Sequence, residues 1–178
     1  MAHISRRIFK GAAAGALSGL VGAASMLAFG IAFDAVFDRG TRRQGRPRKF
    51  LPTADQELDG ATVLALAVGR TLGCDLKGDA LTNAARAMHF IFAAGLGATY
   101  AALAELTPAV TAFHGMAFAA FEELTGNEWL MPRIGFLRPL KDYSAHERVH
   151  SLLSHLLWGA VTESVRGRLV SPQAATTP

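Results

Sequence analysis

The sequence predicts an all-α fold: a multi-pass transmembrane helical bundle of about four spans with a short interfacial helix. Three observations lead there. Residues 11–33, GAAAGALSGLVGAASMLAFGIAF, contain no charged side chain, and about 20 apolar residues at about 1.5 Å rise each suffice to cross a bilayer. Charged residues make up only 18% of the chain and hydrophobic ones 51%, whereas soluble domains carry about 25% charge. The 18 glycines, with abundant alanine, draw that apolarity from small side chains, which let helix backbones approach closely in lipid. At 178 residues the chain reads as one membrane domain, 1–178.

The first span is expected near 8–37, behind Arg6, Arg7 and Lys10. Ser5 to Lys10 resembles a twin-arginine export signal, which would hold the N-terminus in the cytoplasm. A basic loop, 38–60, follows; its Arg42, Arg43, Arg46, Arg48 and Lys49 are placed to meet anionic lipid headgroups. Thr53 to Gln56 has the spacing of a capping box, and Leu58, Ala61, Ala65, Val68 and Leu72 continue at helical period, so an interfacial helix is read over 55–73. Three further spans are read near 84–105, 108–124 and 146–166, with uncharged stretches that shorten along the chain and charged ends that snorkel. Pro108 opens the third. Residues 125–139, TGNEWLMPRIGFLRP, read as a loop. With four spans the basic residues concentrate in the first and third loops, which puts both termini outside by the positive-inside rule, against the export-like signal.

Gly11, Gly15, Gly19 and Ala23 recur every four residues. That spacing strips side chains from a narrow ridge, for a helix of the same chain or of a second copy in a homo-oligomer. Comparable ridges carry His89 in the second span and His155 in the fourth, so these imidazoles are expected to face protein, where an ionisable group is less costly than in lipid. His114 and Glu163 join them as polar interior candidates. The bland role is an interhelical hydrogen bond; the sharper one is a His/Glu site that binds metal or haem or relays protons. His146, Glu147 and His150 fit H-E-x-x-H, which on a helix sets two imidazoles on one face beside a base for metal-bound water. No third ligand is visible, and the string sits where a solvated helix would begin. Cys74 is the only cysteine, so internal disulfides and Cys-rich metal sites are excluded. The +4 formal charge is assigned to headgroups and not to nucleic acid, although residues 44–49 approach a minor-groove-binding string. No phosphate loop, dinucleotide fingerprint or nucleophile elbow occurs.

HFIFAAGLGATYAALAEL at 89–106, the Pro132 and Gly135 loop, and SHLLWGAVTESVRGRL at 154–169 together resemble the YagU-like family of small bacterial inner-membrane proteins. The resemblance covers about the second half of the chain. It implies a helical multi-pass fold in the inner (plasma) membrane and a link to acid resistance, with no catalytic residues to transfer. The resulting expectation is a non-enzymatic, structural or stress-related membrane component in contact with the lipid bilayer. No cofactor is predicted, and the metal, haem or proton site is the alternative.

Overall fold

The computed structural model describes residues 2–37, 60–137 and 139–170. The regular structure of these residues is helical, with no strand among them: α1 (Ala2–Phe37), α2 (Gly60–Thr71), α3 (Gly78–Ala104), α4 (Met116–Glu122), α5 (Met131–Arg133) and α6 (Ala145–Val170). A 3₁₀ turn, Pro108–Thr111, precedes α4, and a π-helix, Glu123–Leu130, joins α4 to α5. Arg42, Arg43, Arg46, Arg48, Lys49 and the capping-box spacing at 53–56 lie outside the described residues.

The four-residue glycine ridge sets the framework. A Cβ built on Gly15 would lie 2.2 Å from the Gly97 carbonyl oxygen, and one on Gly19 2.2 Å from that of Ala93. Gly97 answers from the other side, where a Cβ would stand 2.3 Å from the Gly15 oxygen. Backbone therefore rests on backbone, and α1 and α3 run antiparallel: Gly11 meets Glu105, Gly15 meets Gly97 and Ala101, and Gly19 meets Ala93. The ridge partner is thus in the same chain. The far side of α1 takes α6, also antiparallel. Gly22 lies under Trp158 and Thr162, the Trp158 indole N–H donates to the Gly19 carbonyl at 3.2 Å, and Phe29 stacks on His150 while Phe33 meets it at a tilt. Hydroxyls inside the bundle return their hydrogen bonds to their own helices: Ser18 donates to Ala14 O, Ser154 to His150 O and Ser164 to Ala160 O. Ser18 and Ser154 are thereby satisfied within their own helices, and Ser164 also meets His114.

α2 ends where Gly73 turns left-handed at φ +69°. The Cys74 amide donates to the Gly69 carbonyl and the Gly73 amide to Arg70, the reciprocal pair of a Schellman cap.

The expectation of four spans needs correction. Two helices are long and apolar enough to cross a membrane, Ser5–Phe37 and Gly78–Ala104. Only 18% and 22% of their most apolar windows are buried within the chain, which leaves most of both apolar surfaces uncovered by the described residues. The segment read as a third span is not one helix. Pro108 starts a 3₁₀ turn, and Phe113, His114 and Gly115 follow with φ of 51°, 59° and 82°; three left-handed residues in succession cannot continue a right-handed helix. The chain re-enters as the short α4, with Gly115 pressed against Gly159. The fourth segment is one helix, but His146, Glu147, Arg148, His150, His155, Glu163, Arg166 and Arg168 keep it too polar to meet the same criterion. Residues 125–133, read as part of a loop, are helical, with the π-helix running into α5.

Candidate functional site

α4, the π-helix and α6 close one side of a cavity of about 610 Å³, whose other walls come from α1, α2 and α3. Met26, Leu64, Met88, Phe92, Leu96 and Met131 make most of the lining apolar. Into this space project Glu122, Glu123, Asn127 and His155.

These four side chains form one hydrogen-bonded cluster. The His155 Nδ1 lies 2.8 Å from the Ser151 carbonyl oxygen, which only accepts, so Nδ1 carries the proton. Its Nε2 lies 3.1 Å from the Asn127 amide nitrogen, which also donates to Glu123 Oε2 at 2.7 Å. Glu123 Oε2 stands 3.2 Å from His155 Nδ1, and Glu122 Oε2 stands 3.6 Å from Nε2. Glu123 has 3% of its side chain exposed and Glu122 12%. Burial pushes the Glu122 carboxyl above its ordinary 4.5, and neighbouring Glu123 pushes the same way, while His155 opposes both. The π-helix is what brings this about. The Met131 amide bonds back to the Gly126 carbonyl, five residues earlier; the wider turn lets Glu123 and Asn127 share one face opposite His155. At the rim, Arg148 approaches Glu128 at 4.0 Å.

A second polar network ties the framework together elsewhere. Arg166 holds Glu163 by two bonds of 2.7 and 2.8 Å, the Tyr100 hydroxyl donates to Glu163 at 2.7 Å, and Arg166 reaches Glu105 at 3.7 Å. Glu105 also binds Arg7 at 3.1 Å. Two arginines meet two carboxylates, so α1, α3 and α6 are clasped with their charges balanced.

Residues 70–164 match a family model described as Protein of unknown function (DUF1440). That is more than half of the chain. The chain belongs to the DUF1440 family. No curated protein and no solved structure matches it. The DUF1440 segment contains α3, the left-handed turn, α4, the π-helix and α6 as far as Ser164, and so all four members of the cavity cluster; the glycine ridge of α1 precedes it.

Of the residues singled out from sequence, His89 and His155 both line the cavity, His155 within the cluster and His89 on the α3 wall with its ring edge on Phe90. Glu163 belongs to the clasp. His114 is exposed and bonded to Ser164 at 2.8 Å. His146 and His150 lie against the rings of Phe33 and its neighbours. Glu147 accepts from both the Ser144 amide, at 2.8 Å, and its hydroxyl, at 2.7 Å, while its own amide donates to Ser144 Oγ: a capping box that starts α6. Among the described residues no group of three His, Cys, Asp or Glu side chains has an arrangement that holds a metal ion. Glu105, Glu122, Glu123 and Glu163 are all engaged inside the fold. Asn127 went unnoticed because its surroundings read as a loop, and Tyr100 because its only signal is an aromatic on an apolar helix.

Proposed function

We propose that this protein is an integral membrane protein that responds to acid by taking up a proton at the His155–Glu122 pair. The observation that carries the reading is an imidazole set between the buried Glu123 carboxylate and the part-buried Glu122 carboxylate in an apolar-walled cavity. Membrane insertion is supported by the two long apolar helices whose surfaces the chain leaves largely uncovered. The resemblance of the second half to the YagU-like family supports a bacterial inner membrane and a stress-related role.

With its Nδ1–H given to Ser151, His155 keeps Nε2 as an acceptor for Asn127. A proton arriving at Nε2 turns it into a donor. The Asn127 amide nitrogen can then no longer face it and must rotate away, and Glu122, 3.6 Å from Nε2, becomes the acceptor that closes the gap. Protonation is thereby linked to a movement between α6 and the π-helix. The charged and titratable groups that line the cavity around the imidazole are Glu122, Glu123 and Glu128 on α4 and the π-helix, His89 on α3, Tyr143 just before α6, and Glu147 and Arg148 on α6 itself; α1 contributes Met26 and α2 only uncharged residues to the lining.

Trp158 lines the same cavity and reports on it. In protein carrying Trp129→Phe and reconstituted in lipid, Trp158 fluorescence should change in a single step between about pH 5 and 8, where imidazoles change charge. The step should vanish in His155→Gln. A flat profile, or a step unchanged by His155→Gln, overturns the proposal.

A further inference from the structure

The geometry points to a second occupant of this cavity: a lipophilic monovalent cation, its charge against Glu122 and Glu123 and its apolar body against Met88, Phe92 and Met131. The inference deepens the proton reading above, because the same carboxylates would exchange the proton for the cation.

Charge balance is the first argument. In the Arg7–Glu105–Arg166–Glu163 clasp, two cations meet two anions. The cavity is different. Glu128 has Arg148, and Glu147 turns to the Ser144 cap, which supplies hydrogen bonds and no counter-charge; among the described residues Glu122 and Glu123 share one imidazole. Even with His155 protonated, the Glu122–Glu123–His155 cluster keeps one net negative charge among the described residues, in surroundings where an uncompensated carboxylate is costly. A bound monocation restores neutrality, and an anion would worsen the imbalance.

Size and lining select the kind of cation. About 610 Å³ lies within the roughly 300–1,000 Å³ of small-molecule sites, far more than a bare inorganic ion occupies. The absence, among the described residues, of a metal-holding group of three His, Cys, Asp or Glu side chains also disfavours a hard divalent ion. Three methionines, Met26, Met88 and Met131, give the walls an adaptable surface. The rings of Phe92 and Trp158 can present their faces to a diffuse positive charge. A hydrophobic amine or a phosphonium ion meets each of these conditions.

The test is calorimetric titration of tetraphenylphosphonium into full-length protein in detergent, with tetraphenylborate as the anionic control. Saturable one-to-one binding of the phosphonium is expected near pH 8, weakened about tenfold or more near pH 5 as protons compete, with no binding of the borate. Glu122→Gln should lower affinity about tenfold or more, equivalent to about 1.4 kcal/mol. Met88→Trp, which fills the opposite wall and leaves the carboxylates intact, should abolish binding, so the site stays testable if Glu122→Gln fails to fold. Equal uptake by wild type and a folded variant, or equal uptake of the borate, means partition into micelles and overturns the cation site. The two readings fail separately. A Trp158 pH step without phosphonium binding removes the cation and keeps the proton, whereas Glu122-dependent phosphonium binding with a flat Trp158 profile does the reverse.

Discussion

Gly15→Ala adds one methyl group where the structure leaves no room for it. The new Cβ would stand 2.2 Å from the Gly97 carbonyl oxygen and 2.4 Å from the Ala101 Cβ, whereas ordinary contact begins at 3.4 Å. The first obstacle is backbone, so no flexible side-chain end can yield, and α1 and α3 must separate by about 1 Å. A gap of that size forfeits about a quarter to a half of each dispersion contact along the seam, including Gly19 on Ala93. Overpacking of this kind costs about 1–3 kcal/mol, here at the upper end. Alanine returns about 1 kcal/mol over glycine as a helix former. The net loss is about 2 kcal/mol, or a Tm lower by about 4–8 °C for a chain of this size. Thermal unfolding in detergent followed by circular dichroism reads it directly. Gly95→Ala is the control: it lies on α3, its Cβ would meet nothing within 4 Å, and it should melt at or above the wild-type temperature. If Gly15→Ala melts no lower than Gly95→Ala, the glycine seam does not hold α1 to α3 and the packing argument is wrong.

Glu163→Ala removes both Arg166 bonds and the Tyr100 acceptor; with Glu105 still near Arg166, the loss should be about 3 kcal/mol, seen as a Tm lower by about 6–12 °C, and an unchanged Tm would contradict the clasp. Glu122→Gln should be more stable than wild type at high pH. The raised Glu122 carboxyl gives the folded state stability that is complete at low pH and lost as pH rises above the ordinary 4.5 and through the folded value. The Tm difference should therefore widen with rising pH and close in acid, and a difference that widens on acidification would refute the assignment. Both apolar helices should keep the protein in the membrane fraction through an alkaline carbonate wash; release into the wash would remove the basis for membrane insertion.

How far the sequence revealed this molecule depends on how local each signal is. The Gly11, Gly15 and Gly19 spacing is local, and it translates directly into a ridge because a helix returns to nearly the same face every four residues. Apolarity over 106–121 is also local, yet it reports preference for an apolar surrounding and not helix continuity, so the 3₁₀ turn at Pro108 and the left-handed Phe113–Gly115 step were invisible to it. H-E-x-x-H at 146–150 attracted a metal reading, while the S-x-x-E spacing from Ser144 to Glu147 already contained the capping box that occupies Glu147. The cavity cluster is the least local feature. Glu122 and Glu123 lie some thirty residues before His155, and nothing in either string marks the other. Asn127 sits in TGNEW, whose composition favours turns; packing of the π-helix on α6 overrides that preference and makes it a ligand of the imidazole.

The most direct test of the central claim is infrared difference spectroscopy on protein in lipid, cycled between about pH 8 and pH 5, the range in which imidazoles change charge. Expected are an imidazolium component that is lost in His155→Gln while the signal of the other five histidines stays, and a carboxyl component that is lost in Glu122→Gln, with each substitution also altering the other's signal because the two groups share the proton. Difference spectra identical in wild type and both variants would contradict the claim, for the proton would then be taken up elsewhere.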